Sequence, residues 1–177
     1  GYAESTRNYQ VEEDVLLGYT RYGAWYGYPY GDWCAMFVSF CLNYAEVEDF
    51  PLEASCPNWA KKLIEQELYK VPSEYIPKAG DIIFFDMDED EVLDHVGLVE
   101  ELVDVEVTTI EGNSSDRVEK KKYELHDSRI AGYGLFSEYQ SMRDETSEPA
   151  ASEETPFVPP EDLIAWVAAV DENGQIV

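Results

Sequence analysis

The stretch Gly31-Asp32-Trp33-Cys34-Ala35-Met36-Phe37-Val38-Ser39-Phe40-Cys41 decides how the rest of the chain is read. Gly31 interrupts what precedes it, and Asp32 is placed to cap free backbone N–H groups. Apolar residues then recur at 37, 38, 41, 42 and 45, which is helical spacing. The first turn of that helix carries Cys34. A thiol there feels the positive end of the helix dipole and unpaired backbone donors, and both favour the thiolate. Alone, such a cysteine is as readily a buried structural residue. What gives it a chemical reading is a candidate base downstream, His95, followed by two polar residues able to orient it, Glu111 and Asn113.

On the N-terminal side, residues 23–30 (GAWYGYPY) are rich in glycine and aromatics and read as a loop feeding the Cys34 helix. Residues 11–19 fit a short strand or a helix, and the first 22 residues carry no firm assignment. On the C-terminal side the helix is expected to end near residues 45–47. A second helix starts at Ser55, with Pro57 in its first turn and Trp59, Leu63, Ile64 and Leu68 forming its buried side.

The character of the chain changes at Pro77. Residues 82–85 are a continuous apolar run, as in a buried strand; 95–102, 105–113, 118–125 and 130–136 follow as further strands. Helices first and strands afterwards predict an α+β fold, with N-terminal helices packed on an antiparallel sheet of about five strands. Along a strand, residues two apart share a face. His95 and Gly97 therefore point one way, with Gly97 leaving room beside the ring, and Thr109, Glu111 and Asn113 share a face of the next strand. If the strands carrying His95 and Glu111 are neighbours, Glu111 or Asn113 meets the imidazole from behind and sets its tautomer. His126 lies in a polar turn and reads as a surface residue.

Composition narrows the partners. The 177 residues hold 38 Asp and Glu against 12 Lys and Arg, a formal net charge of −26, so the basic face that nucleic acid requires is missing. No apolar run approaches the ~18 residues of a membrane helix. There are three cysteines. Cys34 and Cys41, ~10 Å apart on one helix, are too far to bridge. Cys41 and Cys56 can pair, though free buried thiols are the simpler reading. No Cys/His quartet proposes structural zinc. Residues 1–142 read as the folded domain and 143–162, dominated by Glu, Ser, Thr, Pro and Ala, as a linker. Residues 163–177 regain apolar character and either dock back or begin another domain. The start at Gly1 without Met reads as a processed or trimmed piece of a longer chain.

Four blocks now stand in series: Asp32-Trp33-Cys34-Ala35-Met36-Phe37-Val38, Ala79-Gly80-Asp81-Ile82-Ile83-Phe84-Phe85, Asp94-His95-Val96-Gly97-Leu98-Val99 and Ile110-Glu111-Gly112-Asn113. In order and spacing they resemble the CHAP family of cysteine amidohydrolases and peptidases. That resemblance implies a papain-like fold and hydrolysis of amide bonds in bacterial peptidoglycan, at the N-acetylmuramoyl–L-alanine link or in a stem or cross-bridge peptide. It implies Cys34 as nucleophile, His95 as base and then acid, Glu111 as the residue orienting His95, and Asn113 as additional or alternative support. It further implies a secreted or cell-surface bacterial protein, Gram-positive by expectation, acting as a monomer on the wall.

Around this core Trp25, Tyr28, Tyr30 and Trp33 are candidates to line a substrate groove. No cofactor is required by the chemistry. Some family members bind calcium, and Asp86-x-Asp88-x-Asp90 has the alternating carboxylates of a calcium loop; Glu91 stands where such loops want Gly, however, and Gly97 where the closing acid belongs. Two other readings keep the same fold: a catalytically silent wall- or partner-binding module, and a cysteine amidase of a small molecule.

Overall fold

Helix α2 (Cys34–Tyr44) is the centre of the molecule: every residue from Cys34 to Ser39 is buried, as is Leu42. A helix apolar on all sides has to be surrounded, and the rest of the chain surrounds this one. The computed structural model describes residues 2–47 and 49–146. Ahead of α2, strands β1 (Ser5–Glu12) and β2 (Val15–Tyr19) form an antiparallel hairpin. Helix α1 (Arg21–Tyr26) follows, capped by the Thr20 side chain, which accepts from the Gly23 N–H. Residues 23–26 are thus helical where the sequence reads as loop. Glycine argues against helix by propensity, but Gly23 sits where the chain folds back on itself: a Cβ there would come 2.4 Å from the Tyr28 carbonyl oxygen.

Helix α3 (Cys56–Glu65) begins as its sequence predicts, with Ser55 as N-cap and a proline in the first turn. Trp59 and Leu63 are fully buried on it, whereas Ile64 is turned to solvent, 58% exposed.

The sheet has six antiparallel strands in the order β3 (Tyr69–Lys70), β8 (Ile130–Gly134), β4 (Ile82–Phe85), β5 (His95–Val103), β6 (Glu106–Glu111), β7 (Glu119–Glu124). Five are the strands expected from the sequence; the two-residue β3 is the addition. Alternation along β4 builds two cores. Ile82 and Phe84 join the cluster around α2 and α3, with Trp33, Trp59 and Val96. Ile83 and Phe85 join the opposite cluster, with Val107, Tyr123 and Tyr133. The fold is α+β, helices preceding an antiparallel sheet.

Two details bring α2 to the end of the sheet. A Cβ on Gly112 would lie 2.4 Å from the Cβ of Phe37, so the helix rests directly on the backbone just beyond β6. Asp81, fully buried at the entry to β4, accepts from the Tyr75 hydroxyl at 2.8 Å, the Lys78 N–H at 2.8 Å and the Ser137 N–H at 3.0 Å. It thereby ties helix α4 (Phe136–Thr146) to the sheet. Of the expected linker 143–162 and the apolar segment 163–177, all but residues 143–146 lie outside the described residues. No helix among the described residues is long and apolar enough to cross a membrane.

Candidate active site

Cys34 is the first residue of α2, and the helix start is bare. Its N-cap is Trp33, which makes no side-chain capping bond. Asp32 does not cap; it accepts from the Asn113 side-chain amide at 3.3 Å instead. An uncapped N-terminus leaves backbone donors facing the thiol, and the Ala35 N–H is one that reaches it.

Strands β5 and β6 are neighbours, with Gly97 opposite Glu111. Glu111 is fully buried. Its Oε2 lies 2.9 Å from His95 Nε2, and its Oε1 accepts from the Thr109 hydroxyl at 2.6 Å. The Tyr123 hydroxyl supplies a further bond from β7. With Nε2 committed to Glu111, Nδ1 is the ring nitrogen available to Cys34, and the thiol and the imidazole are hydrogen-bonded. Asn113, with a φ of 57° in the left-handed region that Asn tolerates, bonds Asp32 across the mouth of the site.

The charges follow from these contacts. The Cys34 thiol is lowered to about 5: the Cys56 S–H donates to its sulfur, and the bond and charge of His95 add to that against the opposing effect of burial. Burial pulls the His95 imidazole down, but its bonds to Cys34 and Glu111 and their negative charges outweigh burial and raise it to about 9. Glu111 is held below its ordinary range, because bonds from His95 and Thr109 overcome its burial. At neutral pH the pair is therefore thiolate and imidazolium, with a carboxylate behind the ring.

These groups open into a groove of about 440 Å³ whose lining includes Cys34, His95, Glu111, Asn113 and, at its rim, Asp32, Asp94, Met87 and Lys121. Trp25, Tyr28, Tyr30 and Trp33 are not part of that lining. Trp33 is corrected outright: it is 1% exposed, stacked on Tyr22 at 5.3 Å, and donates through its indole N–H to Glu4. It belongs to the core because its ring packs into the buried cluster around α2. Tyr30 donates to Asn8, Trp25 packs edge-on against Phe40, and Tyr28 is exposed.

Sequence reading missed three contributors. Thr109 was legible as a residue on the Glu111 face, without its role. Tyr123 and Cys56 carried no local signal, since both arrive from elsewhere in the fold. Cys56 Sγ lies 3.7 Å from Cys34 Sγ, and all three cysteines are free; the partner that Cys56 faces is Cys34, not Cys41.

The acidic loop brings one carboxylate oxygen each from Asp86, Asp88 and Asp94 within 4.8 Å of one another, so that Asp94 rather than Asp90 is the third member. Calcium takes six to eight oxygens, so three carboxylates would need bidentate binding, backbone carbonyls or water to complete a site. Those of Asp86 and Asp94 already accept backbone N–H groups of Asp90, Glu91 and Met87.

A family model, the CHAP domain, matches residues 23–113, just over half of the chain. No curated protein matches. Among solved structures, that of Ly7917 with the hydrolyzing product of MDP is 15% identical, with a TM-score of 0.43; the match covers 56% of this chain and 52% of that one. A second structure of Ly7917 is 16% identical with a TM-score of 0.31, covering 39% of this chain and 32% of that one.

Proposed function

This chain belongs to the CHAP domain family, and from that premise we propose that it hydrolyses amide bonds of bacterial peptidoglycan, at the N-acetylmuramoyl–L-alanine link or within a stem or cross-bridge peptide. The observation that carries the reading is the line of Cys34, His95 and Glu111, the last two 2.9 Å apart, opening on a groove of about 440 Å³.

The Cys34 thiolate attacks the carbonyl carbon, and the oxygen that becomes negative is met by the free N–H groups at the start of α2. His95, already protonated, gives its proton to the departing amine as the thioester forms. The neutral ring then takes a proton from water, which attacks the thioester and releases the acid and the thiolate. Glu111 touches neither bond; it keeps the ring oriented and its cation stabilised through both halves. Acting on wall polymer places the protein outside the cell or at its surface, working as a monomer, and the Gram-positive wall is the substrate proposed.

Incubation with purified cell walls tests this. New amino groups should appear without new reducing sugar ends, and Cys34→Ala should release none. Release by Cys34→Ala at the wild-type rate would overturn the mechanism, and reducing ends without amines would overturn the substrate bond.

A further inference from the structure

The amide chemistry needs one thiol, yet the site holds two. Cys34 is the first residue of α2 and Cys56 the first residue of α3, so the starts of two helices, of 11 and 10 residues, converge on a pair of sulfurs 3.7 Å apart. They differ in what they face. Both are buried, 7% and 5% exposed, but Cys34 lines the groove and Cys56 is not among the lining residues. Cys41 takes no part: it is half-buried two turns along α2, and burial pushes its thiol up to about 12.

We propose that Cys34 and Cys56 are a site of reversible oxidative modification, in which a hydroperoxide oxidises the nucleophile and Cys56 captures it as an intramolecular disulfide. The proposal rests on Cys34 being the reactive thiol and not on which amide is cut. In the first step the Cys34 thiolate attacks one oxygen of hydrogen peroxide. The O–O bond breaks, an S–O bond forms, and the leaving hydroxide takes the His95 proton to become water. In the second step the Cys56 sulfur attacks the sulfenic sulfur. The S–S bond forms, the S–O bond breaks, and hydroxide departs with the Cys56 proton as a second water. The two thiols thus supply the two electrons that reduce one peroxide. A disulfide of ~2.05 Å asks the sulfurs to close by roughly 1.7 Å from their present separation.

Two features shape the behaviour of the pair. Both thiols are buried, but Cys34 lines the groove and Cys56 does not, which makes Cys34 the sulfur a peroxide reaches and Cys56 the resolving thiol. The contacts that stabilise the Cys34 thiolate also stabilise the reduced state, so a small thiol should reopen the bond readily, as for other disulfides with a stabilised leaving thiolate. The effect is protection: once the sulfur is capped by Cys56, it is shielded from irreversible oxidation to the sulfinic acid.

The Cys41→Ser chain, with only Cys34 and Cys56 left, gives an unambiguous test. It is reduced, treated with one equivalent of hydrogen peroxide, denatured in iodoacetamide and cleaved after glutamate, which separates the two cysteines at Glu46, Glu48 and Glu53. Expected are two peptides joined until dithiothreitol is added, an intact mass lower by two hydrogens, and full return of Cys34 alkylation after reduction. Cys34 carrying added oxygens while Cys56 is alkylated would overturn the proposal. In Cys56→Ser, three or more equivalents of hydrogen peroxide should carry Cys34 to the sulfinic acid, beyond rescue by dithiothreitol, while the Cys41→Ser chain given the same excess recovers; equal recovery of the two would also overturn it. Because both readouts are masses, they stand even if no wall substrate is cleaved.

Discussion

Gly97 and Glu111 face each other across the β5–β6 ladder, and the space a side chain would fill at Gly97 is taken by the Glu111 side chain. A Cβ there would come 2.8 Å from Glu111 Cγ and 3.2 Å from the Ile110 carbonyl oxygen. The glycine is what lets a fully buried carboxylate cross the strand and reach His95.

Gly97→Ala should therefore act on the site more than on the fold. Either Glu111 or the strand has to shift by several tenths of an ångström, and His95 loses its orientation. The expected loss in kcat is about 10- to 100-fold with little change in KM, measured on whatever wall fragment the native protein cleaves. An unchanged kcat would show that Glu111 can move without consequence.

The ion pair sets the pH dependence. Below about 5 the Cys34 thiolate is protonated, and above about 9 His95 loses the proton destined for the leaving amine. The kcat/KM profile should be bell-shaped with limbs near those two values. Alkylation of Cys34 by iodoacetamide, followed by mass spectrometry, should show the acidic limb alone, rising as pH passes about 5. A rise only above pH 8, as for an ordinary thiol, would contradict the thiolate assignment.

Glu111→Gln keeps the shape and removes the charge. Since the carboxylate helps to raise His95, its loss should move the alkaline limb to lower pH, and the turnover should fall by about 100-fold or more. A residue that merely supports the fold would lower activity without moving that limb, so the pH profile is the measurement that decides.

Trp33→Ala separates core from groove. A fully buried indole stacked on Tyr22 should cost about 3–5 kcal/mol of stability by urea denaturation. Whatever fraction stays folded should keep its KM. Unchanged stability with a raised KM would restore Trp33 to the substrate groove.

The local code of this chain is legible because it is periodic. The apolar run 82–85, the alternation from His95 to Val99 and from Thr109 to Asn113, and the Ser55–Pro57 helix start each announce an element within a few residues. The same locality made residues 23–26 misleading: Gly23 lowers helix propensity, and the reason it is tolerated, the returning Tyr28 carbonyl, lies in another part of the path. Tertiary context won there over propensity.

Sequence alone determined the order of helices and strands, the identity of Cys34, His95 and Glu111 as residues of interest, and the faces on which the last two project, since side-chain direction along a strand is fixed by its period of two. Packing decided the rest. It sent Trp33 inward, gave Asp32 to Asn113 instead of the helix end, added Tyr123 to the carboxylate, and set Cys56 against Cys34. Those pairings join residues that no period relates, and they exist only because α2, α3 and the end of the sheet have to bury one another's apolar faces at a single place.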